Sequence, residues 1–218
     1  MTESRTTDSE STRVSRPFTV TALLYEQFDL LEVSGPLEMF GLLPEQFTIR
    51  IFSMVGEPVT SMQGPTLCPD CHMADQFQSD ILLIPGGSGC ESALENVVLI
   101  DWLKQQCQHT TYVCAVGTGA ALAARAGLLN GKSATTNKQH YRWVTGIAPE
   151  VNWFPVARWT IDGTICTASG RAAGMDLSLA LIAHLINEET ARKTAANAEY
   201  LWVNDPSDDP FAPLHIVQ

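Results

Sequence analysis

Short apolar runs alternate along this chain with stretches of helical spacing, and no other pattern in it narrows the fold as far. The runs at 18–25, 47–55, 80–84 and 111–116 read as strands, with a weaker pair at 156–161 and 164–167. Between them, Ser34-Gly35-Pro36 starts a helix that runs to about Leu43, with Ser34 as its N-cap. The stretch 91–108 carries Leu94, Val97, Val98, Ile100 and Leu103 at helical spacing. Residues 175–186 are almost wholly apolar and predict a buried helix. Asn187 then caps a second helix over 188–202. Strands that alternate with helices imply an α/β fold, a mostly parallel sheet flanked by helices on both faces. In such sheets, sites form at the carboxyl ends of the strands.

Length and charge bound the rest. The 218 residues fit one domain with a full core. A formal charge of −11 argues against nucleic acid or an anionic membrane surface as partner. No apolar run approaches the ~20 residues of a membrane span. The stretch 1–17 is rich in Ser, Thr and charge without an apolar centre, and reads as a disordered tail rather than a signal peptide. The domain proper is expected over 18–202, with 203–218, rich in Pro and Asp, packed on it as a C-terminal extension. Six cysteines without an export signal fit reduced thiols in the cytoplasm.

Four segments converge at the strand ends. Glu32 lies in Phe28-Asp-Leu-Leu-Glu-Val-Ser-Gly-Pro36, after the first strand. Ile84-Pro-Gly-Gly-Ser-Gly89 offers a tight turn whose amides can face a ligand. Val113-Cys-Ala-Val-Gly117-Thr-Gly-Ala120 is a buried strand turning sharply into a small-residue helix. Such an elbow holds one residue in a strained conformation aimed into a pocket, next to helix amides that favour an oxyanion. Gly87 and Thr118 are the candidate oxyanion donors. Gly117, at the tip, has no side chain. The fourth segment, Thr167-Ala-Ser-Gly-Arg171-Ala-Ala-Gly-Met-Asp176, opens the apolar helix.

This ordered set, with Ala126-Gly-Leu-Leu-Asn-Gly-Lys-Ser-Ala-Thr-Thr136 following the elbow and Ala173-Gly-Met-Asp176 later, resembles the PfpI superfamily. That is the flavodoxin-like, class I glutamine amidotransferase-like fold, and the likeness is strongest to its isocyanide hydratase branch. Glu199-Tyr200 and Asp209-Pro-Phe211 also resemble that branch, so the resemblance spans about Phe18 to Phe211. It implies a homodimer and a reactive cysteine at the elbow, hydrogen-bonded to an acid from the first loop. Glu32 matches the acid, whereas Gly117 falls on the cysteine. Asn137 stands where many relatives have histidine, and Arg171 where the branch has a small or branched apolar residue.

The expected chemistry therefore moves to Glu32 as general acid or base, on a small molecule and without cofactor or metal. Burial is expected to raise its pKa; its bland alternative is a carboxylate capping the Ser34 helix. Gly87, Gly117, Thr118, Asn137 and Arg171 form the expected oxyanion and substrate-binding set. Arg171 either pairs internally with an acid such as Asp176, or holds a substrate carboxylate or the ionised Glu32. Asp176 reads as structural, steadying its helix start or the elbow. Cys90 is the one candidate to stand in for the missing thiol; Cys114 has the opposite strand parity to Gly117 and is expected to face a helix. Cys68-Pro-Asp-Cys71-His72 has the outline of a haem attachment site but matches a β-hairpin of the family with its turn at Pro69-Asp70, and is read as structure. His140, Tyr141 and Trp143 are pocket wall or dimer surface. Two other readings stay open: a ligand-binding sensor, and a cysteine hydratase with glycine substituted at the elbow to trap substrate.

Overall fold

The computed structural model describes residues 16–75 and 77–216. The first half of the chain forms β1 (Phe18–Leu24), α1 (Leu30–Gly41), β2 (Phe47–Ser53), β3 (Val59–Thr60), β4 (Thr66–Leu67), β5 (Cys71–His72), β6 (Ile81–Ile84), α2 (Cys90–Leu94) and α3 (Val97–Gln106). The second half adds β7 (Tyr112–Val116), α4 (Gly119–Arg125), β8 (Ser133–Ala134), α5 (Tyr141–Ile147), β9 (Asn152–Trp153), β10 (Trp159–Asp162) and β11 (Ile165–Ala168). It closes with α6 (Ala172–Leu185), α7 (Glu188–Asn197) and α8 (Ala212–His215). The central sheet runs β10-β11-β7-β6-β1-β2-β5. Every pairing in it is parallel except β10 with β11. Helices α1, α6 and α7 pack together as one layer and α2 to α5 as the other. The expected α/β single domain with helices on both faces is the observed one. Because β1, β6 and β7 are adjacent and parallel, the segments that follow them meet at one sheet end.

The boundaries depart from the sequence reading where side chains redirect the backbone. Helix α1 begins at Leu30, ahead of the expected Ser34 start, because Asp29 caps it: its Oδ1 accepts from the amides of Leu31 at 3.0 Å and Glu32 at 3.3 Å. Ser34 lies inside the helix and donates its hydroxyl to the Leu30 carbonyl at 2.8 Å. The single helix expected over 91–108 is two, because Asn96 is extended and accepts from the Leu99 amide at 3.1 Å, capping α3 afresh. Asn187 caps α7 as expected, accepting from Thr190 at 2.8 Å, but the helix stops at Asn197. Glu199 there takes a positive φ of 51°, which turns the chain. The hairpin is β3 with β4, and Pro69-Asp70 lies after it. Asp70 instead clasps Ile51, amide to carbonyl at 2.7 Å and Oδ2 to amide at 2.8 Å, which sets β5 beside β2. Among the described residues no three His, Cys, Asp or Glu side chains gather as a metal site. No described helix is long and apolar enough to cross a membrane.

Residues 1–15 of the expected tail lie outside the described residues. Arg16 is fastened to Asp80 by two bonds of 2.7 and 2.8 Å. At the other end, a buried ion cluster ties down the C-terminal segment. Asp176 pairs with Arg158, not with Arg171: the Arg158 side chain, 6% exposed, reaches Asp176 Oδ2 at 2.7 Å and Asp209 Oδ1 at 3.5 Å. Asp176 Oδ1 also accepts from the Tyr200 hydroxyl at 3.0 Å and the Val203 amide at 2.9 Å. The 156–158 stretch, expected to begin a strand, bonds instead to this segment through Arg158 N to Pro206 O and Asp209 N to Val156 O. Removing one partner of such a pair leaves a buried charge uncompensated. Asp176→Ala is therefore expected to cost about 3–5 kcal/mol in urea unfolding, and a loss below about 1 kcal/mol would count against this role.

Candidate active site

Strand β7 delivers the chain to Gly117, whose φ of +57° is a conformation L side chains rarely adopt. Its amide donates to Ala168 O at 3.0 Å, and its carbonyl accepts from Thr136 Oγ1 at 2.9 Å. The elbow peptide is thus held from two sides. A Cβ built on Gly117 would fall on the carboxyl group of Glu32, against Oε1 first, with Oε2 at 2.6 Å and Cδ at 2.7 Å. The space that an elbow side chain would enter is filled by Glu32.

Glu32 projects from the first turn of α1 and is 3% exposed. Its Oε2 accepts from the Gly86 amide at 2.6 Å and its Oε1 from the Arg171 amide at 3.1 Å. Gly86 must be glycine for this approach, since a Cβ there would stand 2.8 Å from Oε2 and against Thr118 Oγ1. Arg171 has a φ of 39° and ψ of −109°, a rare conformation for a residue with a side chain. That backbone turns its amide to Glu32 while its Nε reaches Asp29 Oδ2 at 3.1 Å. Asp29 is the site residue that the sequence reading passed over. The spacing Asp29-Leu-Leu-Glu32 is that of a capping box, a signal that points to it. In a capping box Glu32 would turn back to the Asp29 amide; here that amide donates to Gly86 O at 2.7 Å, which leaves the Glu32 carboxyl for the pocket.

Burial pushes Glu32 up to about 7, with the neighbouring charge of Asp29 acting in the same direction. The amides of Arg171 and Gly86, and the Arg171 charge, work against that rise. The group therefore changes protonation state near neutrality. It opens on a cavity of about 420 Å³ that Asp29, Gly87, Cys90, Thr118, Asn137 and Arg171 also line, with Met62, Glu91, His140 and Trp143 towards the mouth. Tyr141 does not line it; its ring lies 6.0 Å from the Lys138 ammonium. Gly87, expected as an oxyanion donor, already gives its amide to Thr118 Oγ1 at 3.1 Å. Asn137 Oδ1 accepts from the His140 amide at 3.2 Å.

The surroundings of Cys90 favour its neutral thiol over the nucleophilic thiolate. Its thiol donates to Thr118 O at 3.2 Å, and burial pushes it up to about 12, so it stays protonated at neutral pH. Cys114 is directly opposite Cys166 on β11, and the hydrogen bond between them together with burial raises it well above a free thiol. It is not part of the cavity wall. The site offers one carboxyl poised near neutrality, one half-exposed guanidinium and a half-apolar enclosure, which suits proton transfer on a small molecule.

An elbow at the end of a central parallel strand, faced by an acid from the first helix, defines a class I glutamine amidotransferase-like α/β protein. Residues 19–184 match the DJ-1/PfpI family, and the chain belongs to it. It is 31% identical to the isonitrile hydratase of Pseudomonas putida over 82% of this chain and 76% of that one. It is 26% identical to the HTH-type transcriptional regulator GbdR of Pseudomonas aeruginosa over 86% of this chain and 51% of the regulator. A solved THiJ/PfpI family protein from Pseudomonas syringae superposes with a TM-score of 0.77 at 25% identity, over 97% of this chain and 84% of that one.

The raised Glu32 pKa carries a stability signature. The folded state binds its proton more tightly than the unfolded chain does, so this contribution is full below about pH 4.5 and is lost as pH rises towards about 7. Relative to Glu32→Gln, the protein is expected to lose on the order of 2–3 kcal/mol across that window in urea titrations. Parallel stability–pH curves for the two proteins would refute the shift. Gly117→Ala is expected to destabilise by at least about 1 kcal/mol, through its φ and by displacing Glu32.

Proposed function

We propose that the protein is a cofactor-independent small-molecule enzyme of the isocyanide hydratase-like group, working with Glu32 as general acid and base and without a cysteine nucleophile. The observation that carries this reading is the carboxyl group of Glu32, seated at the elbow tip and poised near neutral pH. In a hydration, ionised Glu32 takes a proton from water as the hydroxyl bonds to the electrophilic carbon. The neutral acid then returns that proton to the substrate, to the adjacent atom of a polar double bond or, in an isocyanide, to the same carbon, whose formimidate tautomerises to the N-formamide; the enzyme is regenerated. Dehydration is the reverse, and isomerisation or cyclisation needs the same shuttle between two substrate atoms. The likeness to the Pseudomonas putida isonitrile hydratase makes an aryl isocyanide the first substrate to assay. The reading includes action as a homodimer in the cytoplasm, and the formal charge of −11 argues against nucleic acid or an anionic membrane as partner.

Glu32→Gln is expected to lower kcat about 10²–10⁴-fold, and unchanged turnover would remove Glu32 from the reaction. If Glu32 acts as base towards water, kcat rises with pH to a plateau with its midpoint near 7. Gly117→Cys is expected to bring no gain in isocyanide hydration, because on this reading the reacting group is Glu32, whose carboxyl a Cβ at residue 117 would displace. A gain in activity would favour the substituted hydratase instead. The relatives that regulate transcription favour a second reading, a ligand-binding sensor. Tight binding of a ligand that is recovered unchanged after long incubation would support it.

A further inference from the structure

Asp29 touches the surroundings of Glu32 from two directions. Its Oδ1 accepts from the Glu32 amide and the Leu31 amide, which fixes the helical turn that carries Glu32. Its Oδ2 holds Arg171 Nε at 3.1 Å, and the Arg171 amide grips Glu32 Oε1. The side chain is 4% exposed, whereas that of Arg171 is 56% exposed. An exposed guanidinium without an anchor would move freely, and Arg171, at the N-cap of α6, gives that helix no side-chain hydrogen bond.

We infer that Asp29 is a positioning residue: through its ion pair with Arg171 it holds the Arg171 amide on Glu32 and fixes the carboxyl at the elbow. This rests on the reading of Glu32 as the reacting group, and it deepens that reading by naming what sets the group's geometry and charge. Other ionisable groups face Glu32 from the packed elements: Tyr25 at the end of β1 and Cys90 in α2, with Glu91 and His140 on the cavity wall. Burial holds Tyr25 and Cys90 protonated at neutral pH. Asp29 and Arg171 are the charged side chains that act on Glu32.

The test follows the protonation of Glu32 directly, by the ¹³C shift of its carboxyl carbon over a pH titration, assigned by loss of the signal in Glu32→Gln. No substrate is needed, so the result stands apart from whether Glu32 turns over an isocyanide. Asn caps helices as well as Asp does, so Asp29→Asn keeps the cap and removes the charge. Its Glu32 midpoint is expected to fall by about one pH unit as the charge is removed, while the Arg171 amide, released from Oε1, exchanges its proton faster. An unchanged midpoint would reduce Asp29 to a helix cap and overturn the inference. Should Asp29→Asn fail to fold, Arg171→Met breaks the pair from the other side, and its midpoint is expected to rise by about one pH unit; no rise would overturn the inference. The double variant separates a coupled pair from two independent charges. Coupling is expected to leave its midpoint displaced from the sum of the two single shifts by at least about half a pH unit, and simple additivity would overturn the pair.

Discussion

At the carboxyl end of β7 the Glu32 carboxyl occupies the place into which a side chain on residue 117 would project, so such a side chain would have to displace it. Gly117 avoids that displacement, and the neighbouring backbone is arranged around the result. Gly86 lacks a Cβ where one would press on Oε2, and Arg171 adopts a rare conformation that turns its amide to Oε1. Thr136 and Ala168 fasten the elbow peptide so that Gly117 keeps its positive φ. The close approach of three chain segments is possible because β1, β6 and β7 lie side by side in one parallel sheet.

The energetic consequence is a carboxyl group held between two states. Taking an anion out of water costs several kcal/mol, which favours the neutral acid. Two short amide bonds and a guanidinium favour the anion. The Asp29 charge adds to the burial effect and, by pairing with Arg171, also weakens the opposing one. Burial and the Asp29 charge outweigh the amides and the guanidinium, so Glu32 stands at about 7, above the ordinary carboxyl range. At Cys90, burial and the charges of Glu32 and Glu91 all favour the neutral thiol, and the hydrogen bonds from Thr118 and Tyr25 do not offset them. The contrast shows why a carboxyl, and not the nearby thiol, is the reactive candidate.

Strand positions were legible in the sequence because each buried strand is a short apolar run with a strong period, and the central ones fall within a residue or two of the expected spans. Glu32, Gly117 and Arg171 were legible because the segments carrying them follow the strands that form one sheet end. Asp29 was not, because its role depends on a partner at Arg171 that no local pattern ties to it. Arg158 was missed for the same reason: it meets Asp176 across a fold-back, while Arg171, nearer in sequence, points the other way. Helix starts went astray where two capping residues compete. Ser34 resembles a cap, but Asp29 starts the helix earlier, and once residue 34 is helical its hydroxyl returns to the carbonyl of Leu30.

The three departures from the family pattern become one feature when placed in space. Gly117 frees the volume that Glu32 enters, and Arg171 supplies the amide on Oε1. Asn137 lines the same cavity, where its Oδ1 accepts from the His140 amide. A fold shared by an isonitrile hydratase and by transcriptional regulators says little about chemistry on its own, since function resides in the site that the fold carries. In this chain Gly117 and the Arg171 amide meet at the Glu32 carboxyl, so the chemistry of the site is to be sought at that group.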